Sequence, residues 1–377
     1  MYTVSNNLTT QTQYFEMHGL VIIVTRGGYI KRMELKTFES QNRGTRGKKG
    51  AGGAGEDEDE ILHCITCKDR DTLLMIGQNG IAYGLHAYQV PSGSRTAKGT
   101  PLPSVLPISV GQVITAVLPV QSFTQNDEQD YVVLATLKGL IKKTPLKAFE
   151  KTSNRGLTIA SLADGDKLLW CHKCNDDDDI LIGTSRGMAA RLAAVKLRPT
   201  GRTSKGVKAM RLREGDTIAD MNVLSSNRND NKEFVLCITK QGYGKRVATN
   251  DFRTTSRGAV GVIAIKFKSS PETTTTTMTK TGNGNGSEED DDEPDAQDKV
   301  SCFCIVHEDD EILLGTSQGL IVRQQAKQIP CQGRTATGVR VQKLKKDSFD
   351  HITSVSIVPR RGVLTTTTSS SSSSATE

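Results

Sequence analysis

A glycine-to-arginine spacing recurs six times along this chain of 377 residues. The glycines are Gly28, Gly80, Gly139, Gly187, Gly242 and Gly319, and the arginines are Arg43, Arg95, Arg155, Arg202, Arg257 and Arg334. The offset within a unit is 15 residues, or 16 in the third unit, whereas the distance between successive glycines varies from 48 to 77. A fixed inner spacing with connections of variable length indicates one supersecondary unit repeated six times.

Each of these glycines stands between two short apolar runs. Residues 21–25 (VIIVT) precede the first glycine, residues 131–136 (YVVLAT) precede the third, and residues 180–182 (ILI) lie ahead of the fourth. Short β-branched runs broken at a glycine are typical of β-hairpins, because glycine adopts positive φ without steric cost. Continuous apolar runs suit strands that are buried on both faces. About four short strands per unit predict an all-β array of six blades that cover one another's apolar faces.

The repeat spacing also predicts the organisation of the chain. We expect a body over residues 15–364, with blades at about 15–60, 61–110, 111–165, 166–215, 216–268 and 299–360. Residues 271–298 and the Thr/Ser tail at 365–377 have too few apolar side chains to offset the entropy of ordering, and residues 1–14 are polar. We therefore expect a disordered lead, an insertion between blades five and six, and a disordered tail.

The sequence carries no signal for secretion or for a membrane span. The first dozen residues lack the charged and apolar regions of a signal peptide, and no apolar run approaches the roughly 18 residues that a spanning helix needs. Eight cysteines without a secretion signal fit a reducing compartment. We expect an intracellular protein, located in the chloroplast or mitochondrion if the source is eukaryotic and otherwise in the bacterial cytoplasm.

Acidic residues are concentrated in four runs, which leaves a strongly cationic remainder. Residues 56–60, 176–179, 288–298 and 308–311 hold 21 of the 42 acidic side chains, against 49 Lys and Arg in the whole chain. The formal net charge of +7 therefore understates the positive charge outside the runs. This balance predicts a positive stripe that attracts a polyanion. We interpret the acidic runs as solvated turns, or as segments that compete with the polyanion for the stripe.

Cations recur in register within the repeat. The fourth residue after the turn glycine is Arg32, Lys143, Arg191, Arg246 or Arg323, and Lys31, Lys142 and Lys245 come directly before three of them. The second unit has Gly84 at this position. Scattered lysines would indicate only a solvated surface, but a register that follows the repeat predicts a polyanion-binding rim.

The glycine-rich loops around the six arginines carry further cations. Residues 41–50 (QNRGTRGKKG) form the most basic loop, and the predicted binding residues in it are Gln41, Arg43, Gly44, Arg46, Gly47, Lys48, Lys49 and Gly50. The corresponding residues of the later loops are Arg95, Lys98, Arg155, Arg202, Lys205, Arg257 and Arg334. Glycine lets the main chain approach a phosphate, and arginine offers a bidentate fork. One Trp and seven Tyr argue against base stacking on single strands and favour contacts to a duplex backbone.

At these loops the chain resembles the C-terminal DNA-wrapping domain of the DNA gyrase A protein, over nearly all of residues 15–360. The family's box is Gln-(Arg/Lys)-Arg-Gly-Gly-(Arg/Lys)-Gly, which residues 41–47 match at five of seven places, with departures at Asn42 and Thr45. Residues 28–32 (GYIKR), 94–101 (SRTAKGTP), 138–145 (KGLIKKTP) and 242–246 (GYGKR) also resemble the family. The same holds for the connectors at 162–166 (LADGD) and 212–216 (LREGD).

The resemblance implies an all-β, six-bladed β-pinwheel in which neighbouring blades exchange strands and duplex DNA bends around a basic perimeter. It implies that the box makes the wrap productive for supercoiling, and that topoisomerase IV lacks this feature. The implied partners are double-stranded DNA, the breakage–reunion domain and the separate ATPase protein of gyrase (gyrase B), with no membrane partner. No cofactor is expected in this chain, since ATP and Mg²⁺ would be used by other parts of the holoenzyme.

No catalytic group is evident in the sequence. There is no Walker-type phosphate loop, and none of the seven tyrosines follows an arginine as the strand-cleaving tyrosine of this family does. We therefore expect a non-catalytic DNA-wrapping domain of an ATP-dependent topoisomerase. The alternatives are a topoisomerase IV-like domain that binds DNA without tight wrapping, and a propeller-type scaffold for protein interactions.

Two motifs suggest other chemistry, and both are better explained by the fold. Cys64 and Cys67 form one CxxC pair, and Cys171 and Cys174 form another, with a histidine directly before each pair. The two pairs lie too far apart for a zinc ribbon, so we predict buried, reduced thiols and no metal site. Residues 50–55 satisfy a dinucleotide-binding string, but no helix follows and the acidic run at 56–60 would repel a pyrophosphate.

Overall fold

The computed structural model of the protein describes residues 19–34, 59, 61–94, 97–109, 111–123, 130–226, 233–267, 298–317, 321–344 and 350–358. Its strands, in chain order, are β1 (Gly19–Thr25), β2 (Tyr29–Glu34), β3 (Ile61–Lys68), β4 (Thr72–Gly77), β5 (Ile81–His86), β6 (Thr100–Pro101), β7 (Ile114–Val120), β8 (Tyr131–Thr136), β9 (Leu140–Pro145), β10 (Leu157–Thr158), β11 (Leu168–Cys174), β12 (Asp179–Thr184), β13 (Met188–Ala193), β14 (Val207–Lys208), β15 (Ile218–Leu224), β16 (Glu233–Thr239), β17 (Tyr243–Ala248), β18 (Val262–Ile263), β19 (Val300–His307), β20 (Glu311–Thr316), β21 (Ile321–Gln325), β22 (Val339–Arg340) and β23 (Ile352–Val358). Among the described residues, the short helix α1 spans Leu102–Val105. A short 3-10 turn follows each of the strands β5, β9, β13, β17 and β21, at Ala87–Gln89, Leu146–Phe149, Ala194–Lys196, Thr249–Asp251 and Ala326–Gln328.

The strands form six antiparallel sheets arranged in a ring, which confirms the predicted all-β, six-bladed architecture. The strand orders are β3-β1-β2-β6, β10-β5-β4-β7, β11-β8-β9-β14, β15-β12-β13-β18, β19-β16-β17-β22 and β21-β20-β23, which we call blades one to six. A hairpin supplies the two central strands of blades one to five, and in blade six the hairpin supplies β20 at the centre and β21 at the edge. A longer strand pairs with the first strand of the hairpin, and these longer strands contact one another in sequence from β3 to β23. The blades therefore follow one another in chain order.

Neighbouring blades exchange strands through the loops that contain the repeated arginines. In blades one to five, a two-residue strand from the following repeat pairs with the second strand of the hairpin, as β6 pairs with β2 and β14 with β9. Each of these sheets therefore combines strands from more than one of the contiguous segments expected from the sequence. For example, β3 and β6 both fall within the expected second segment at 61–110, but both belong to the first sheet.

The hairpin turns explain why the repeat begins with a glycine. Gly28, Gly80, Gly139, Gly187 and Gly242 have φ between 78° and 84°, and each lies at the end of a three-residue loop. In four of these turns the threonine that ends the first strand accepts a hydrogen bond from the N–H of the first residue of the second strand, at 3.1–3.2 Å. The second blade has glycine in place of this threonine, and the side chain of its turn asparagine accepts the bond instead. Glycine is thus required by a positive φ at the same place in each described turn.

The core lies between the blades, because alternate side chains of each central strand pack on opposite neighbours. In β4, Leu73 and Met75 join the cluster shared with blade one, whereas Leu74 and Ile76 join the cluster shared with blade three. Successive side chains point to opposite faces of a strand. A strand covered on both faces must therefore be apolar along its whole length, which confirms the interpretation of the continuous apolar runs.

Several predicted segments lie outside the described residues. These are the basic loop at 41–50, the lead at 1–14, residues 271–297 of the expected insertion, and the tail at 365–377. The span 271–298 predicted from the sequence overlaps the described residues only at Asp298, whose carboxylate accepts a hydrogen bond from the N–H of Gln241. No helix among the described residues is long and apolar enough to cross a membrane.

Candidate nucleic-acid interface

Three of the predicted rim lysines lie inside the fold. Lys31, Lys142 and Lys245 are only 2%, 4% and 0% exposed. Each follows its turn glycine by three positions, and its ammonium group donates to backbone carbonyls in the arginine loop of the next repeat. Burial lowers the pKa of Lys142 and of Lys245 to about 8, and it also lowers the pKa of Lys31. The structure therefore corrects the expectation that these three side chains face solvent on the rim.

The cations at the fourth position form ion pairs. The pairs are Arg32 with Asp69 at 3.9 Å, Lys143 with Asp176, Arg191 with Asp179 at 2.7 Å, Arg246 with Glu308 at 3.2 Å, and Arg323 with Glu311. Four of these cations also donate to a carbonyl at or beside the 3-10 turn of the next blade: Arg32 to Val90, Lys143 to Ala194, Arg191 to Thr249 and Arg246 to Ile329. Their repeated register thus reflects a clamp between adjacent blades.

Two of these clamping cations are buried as well as paired. Lys143 is 1% exposed and Arg246 is 5% exposed, so neither presents its charge to solvent. The expectation of a rim contact is corrected for both. Arg32, Arg191 and Arg323 keep part of their surface accessible, and a contact to a polyanion stays a prediction for them.

The acidic runs at 176–179 and 308–311 are structural turns. Asp178 and Asp310 are buried, and each accepts a hydrogen bond from a backbone N–H three residues earlier, at 2.7 and 2.8 Å. Other carboxylates of these two runs form the ion pairs described above. The interpretation of these runs as solvated turns is therefore corrected for the buried Asp178 and Asp310 and for the ion-paired carboxylates, whereas Asp177 and Asp309 are exposed.

The two irregularities of the repeat have one common cause. Gly84 replaces the clamping cation in blade two, and the loop that covers it belongs to the third unit, whose glycine-to-arginine offset is 16. The N–H of Gly84 donates to the carbonyl of Ser153, and a Cβ at this position would lie 2.4 Å from the carbonyl oxygen of Thr152. The longer loop thus occupies the space that the cation fills in other blades.

The arginine loops approach the preceding blade closely. Gly99, Gly156, Gly206, Gly261 and Gly338 have positive φ and come directly before the two-residue exchanged strands. At Gly206 an added Cβ would lie 2.8 Å from the carbonyl oxygen of Ile141, and at Gly338 it would lie 2.6 Å from that of Gly244. These glycines allow the exchanged strand to dock, and they fix where each loop leaves the blade.

The remaining loop cations are accessible. Lys98, Arg155, Lys205 and Arg257 are exposed or partly exposed, and so are Arg202 and Arg334. Beside the loop of Arg257 lies a cavity of about 280 Å³ lined by Leu192, Ala193, Lys196, Thr255, Ser256 and Arg257. Two cations and two hydroxyl groups can donate to an anion there. Arg95 and the basic loop at 41–50 lie outside the described residues, so their predicted role stays a prediction.

Sequence reasoning missed two cations on the exchanged strands. Lys208 on β14 and Arg340 on β22 are exposed, and each follows its loop glycine by two positions. The guanidinium of Arg340 lies 5.2 Å from the ring centre of Tyr243 and donates to its hydroxyl at 2.8 Å. The repeated Gly-Val-cation string was visible in the sequence, and the resemblance implied an exchange of strands, but nothing identified this string as the exchanged strand.

Three cysteines of the CxxC pairs are core residues. Cys67, Cys171 and Cys174 are buried, as predicted, and burial raises the pKa of each thiol to about 12. His172, beside the second pair, has its pKa lowered by burial. Within the described ranges, no group of three or more His, Cys, Asp or Glu side chains could hold a metal ion.

A family model described as "DNA gyrase C-terminal domain, beta-propeller" matches six segments of the chain. The matched segments are 19–68, 71–102, 130–175, 178–225, 233–276 and 310–359. Together they cover most of the chain and include a part of each blade.

Two relatives agree with this family match. The DNA gyrase A protein of Synechocystis sp. is 36% identical over 371 residues, covering 91% of this chain and 39% of the relative. The DNA gyrase A protein of Staphylococcus aureus is 32% identical over 330 residues, covering 88% of this chain and 34% of the relative. The chain therefore spans little more than a third of the length of these relatives.

Two solved structures share the fold over 90% of this chain. The structure of a DNA gyrase A C-terminal domain has a TM-score of 0.66 at 25% identity and is covered over 99% of its own length. The C-terminal domain of a DNA topoisomerase IV has a TM-score of 0.68 at 21% identity, with 93% of its chain covered. The second likeness, at this identity, bears on the fold alone.

Proposed function

The chain belongs to the DNA gyrase C-terminal domain, beta-propeller family, and we propose that it is a non-catalytic domain that binds and wraps duplex DNA for a type IIA topoisomerase. The observation that carries this proposal is the set of accessible cations on the arginine loops, one loop after another around the blades. Repeated phosphate contacts along a curved surface favour a bent duplex and carry little sequence information.

The proposed contact set is narrower than the one expected from the sequence. It comprises Lys98, Arg155, Arg202, Lys205, Arg257 and Arg334, with Lys208 and Arg340 added. Arg95 and the basic loop with Arg43, Arg46, Lys48 and Lys49 complete the proposed path. The set also keeps three partly accessible cations of the predicted rim, Arg32, Arg191 and Arg323. The five buried cations are left out, because they are already engaged by carbonyls or carboxylates inside the fold.

The test is the salt dependence of duplex binding by a loop variant. Fluorescence anisotropy with a labelled duplex should give a log–log slope that reflects about 0.9 units per phosphate contact. In the double variant R202A K205A, we expect the slope to fall by about two units and the affinity to fall evenly across sequences. A flat salt response of the unsubstituted protein would overturn the proposal.

A matched control lies in the same blade. Lys173 is exposed on β11, at the edge of blade three opposite the exchanged strand β14, which follows the loop of Arg202 and Lys205. We expect K173A to leave the salt slope nearly unchanged. If K173A lowered the slope by as much per removed charge as the loop variant does, binding would follow net charge and not the loop surface.

A second candidate is a topoisomerase IV-like domain that binds DNA without tight wrapping. It is favoured by the two departures from the family's box, Asn42 and Thr45. Relaxing a plasmid by nicking and ligation in the presence of the protein separates the two, since only a wrapping domain leaves constrained writhe. A scaffold for protein interactions would show no duplex binding in either assay.

The proposal extends to the partners of the whole protein. We propose that the chain acts with a breakage–reunion domain and with the ATPase protein of gyrase, gyrase B, which would use Mg²⁺ and ATP. The matching relatives named above are bacterial, which supports a bacterial cytoplasm or, for a eukaryotic source, a chloroplast or mitochondrion. Co-purification of the chain with gyrase B would test the partnership.

A further inference from the structure

Three arginine loops are built around a buried ammonium group. Lys142 donates to the carbonyls of Gly201, Arg202 and Ser204, and Lys245 donates to those of Gly333 at 2.7 Å, Arg334 at 2.6 Å and Ala336 at 2.9 Å. In blade one, Lys31 donates to the carbonyls of Ser94 at 3.3 Å and Ala97 at 2.8 Å. An ammonium has three donors, and in two loops all three meet a carbonyl.

The inward carbonyls decide where the amide groups point. In a trans peptide the C=O of one residue and the N–H of the next point in opposite directions. When the carbonyls of Gly201, Arg202 and Ser204 converge on the ammonium, the N–H groups of Arg202, Thr203 and Lys205 must point away from it. None of the described residues accepts a hydrogen bond from these three N–H groups.

The loop of blade five repeats this arrangement. The carbonyls of Gly333, Arg334 and Ala336 face Lys245, so the N–H groups of Arg334, Thr335 and Thr337 point outward. No acceptor for these three groups occurs within the described part of the chain either. Lys205 and Thr335 are exposed, so the outward side is open to a ligand.

The arrangement alternates around the ring. The lysine occurs in blades one, three and five, where the covering loops read SRTAKG, GRTSKG and GRTATG. Blades two and four have Tyr83 and Ala190 at the same position, under loops that read SNRG and SRGAVG. The lysine of one repeat and the Arg-Thr string of the next repeat thus occur together, as expected if one exists to shape the other.

We propose that the two lysine-centred loops at 201–206 and 333–338 are phosphate-binding nests, in which outward N–H groups donate to the oxygens of a DNA phosphodiester and the adjacent arginine adds its charge. Clusters of successive backbone N–H groups form anion-binding concavities. The buried lysines act as positioning residues: they hold the carbonyls inward and do not touch DNA. This inference rests on the proposed function, because it assumes that the ligand is duplex DNA.

The direct test follows the amides themselves in the unsubstituted protein. A deuterated, ¹⁵N-labelled sample is titrated with a short duplex, and separately with inorganic phosphate, while the amide signals are recorded. We expect the signals of Arg202, Thr203, Lys205, Arg334, Thr335 and Thr337 to shift with the duplex. If the duplex binds and these signals stay unchanged, the nests are wrong while the proposed function stands. If no duplex binds, the proposed function itself fails.

The second test removes the buried charge and compares it with an exposed one in the same loop. We expect K142M to lower the salt slope of duplex binding by about two units, since Arg202 and Lys205 both lose their position, whereas K205M lowers it by about one unit. Circular dichroism checks that K142M keeps its sheets. A folded K142M whose slope and amide shifts match those of the unsubstituted protein would overturn the positioning role.

Discussion

Asp220 is a carboxyl group held between three blades. It lies on β15, accepts a hydrogen bond from the N–H of Met221 at 2.8 Å, and faces the Cys302 thiol at 3.6 Å. Trp170 of the preceding blade also bonds it. Burial raises the pKa of Asp220 to about 7, although these hydrogen bonds favour the charged form. The site therefore favours the protonated acid up to neutral pH.

This raised pKa predicts a pH dependence of stability. Between about pH 4 and pH 7 the folded protein binds the Asp220 proton and the unfolded chain does not, so stability falls as pH rises through this window. We expect the stability of D220N, relative to that of the unsubstituted protein, to be higher at pH 8 than at pH 5. The measurement compares the urea unfolding midpoints of the two proteins at each pH. Asp164 is exposed, and D164N controls for the loss of one formal charge. An equal difference at both pH values would contradict the prediction.

The buried cations show where the interpretation of the sequence was wrong. The register of Lys31, Lys143 and Arg246 is real, but a repeated register arises equally from repeated internal packing. Nothing in the sequence distinguishes a lysine that faces solvent from one whose ammonium meets carbonyls 60 residues away. The signal that was available is the pairing of acidic turns with these cations, since several repeats carry both.

At the scale of elements, the hairpins were predictable from the residues themselves, whereas strand exchange between blades was expected from the family resemblance alone. The turn glycines mark β1–β2 and its equivalents through a local requirement for positive φ. A two-residue strand such as β14 has no local signal, because its pairing with β9 depends on a partner from the previous repeat. For the same reason, the contiguous blade boundaries expected from the sequence do not coincide with the boundaries of the sheets.

The exchange makes Gly84 a position where adding a single methyl group should destabilise the fold. A Cβ there would meet the carbonyl oxygen of Thr152 at 2.4 Å, and this contact belongs to backbone that cannot easily move. We expect G84A to lower the free energy of unfolding by about 1–3 kcal/mol, as overpacking of a tight site does. The measurement is urea unfolding followed by circular dichroism.

The control is Gly201, which lies in the arginine loop that covers blade three. An added Cβ at Gly201 would meet no atom within 4 Å. We expect G201A to change stability by less than about 0.5 kcal/mol. If G84A were as harmless as G201A, the explanation that the longer third loop excludes a side chain at residue 84 would be wrong.

At the scale of the whole molecule, charge is divided between the interior and the surface. The lysines at the third position hold the arginine loops through backbone carbonyls. The cations at the fourth position hold adjacent blades together and pair with carboxylates of the acidic runs. The charge left for a polyanion lies on the arginine loops. A ring built this way can bind DNA at intervals set by its blades, while its stability depends on a different set of cations.

This division predicts that wrapping can be lost without loss of the fold. The basic loop at 41–50 is unique among the six in carrying four cations, and under the proposed function we expect it to anchor the wrap. We expect the quadruple variant R43A R46A K48A K49A to keep its sheets by circular dichroism and to retain duplex binding through the other loops. Relaxed plasmid nicked and ligated with this variant should show no constrained writhe.

The control for that experiment is the variant R202A K205A, which also removes cations from one loop. Because the other loops would still hold the ends of the bent duplex, we expect it to bind more weakly at a given salt concentration but to constrain writhe once bound. If both variants lose writhe in proportion to their loss of affinity, the wrap depends on total charge, and the special role of the first loop is wrong. If only the quadruple variant loses writhe, the six loops share the binding of DNA, but the path is set at the first blade.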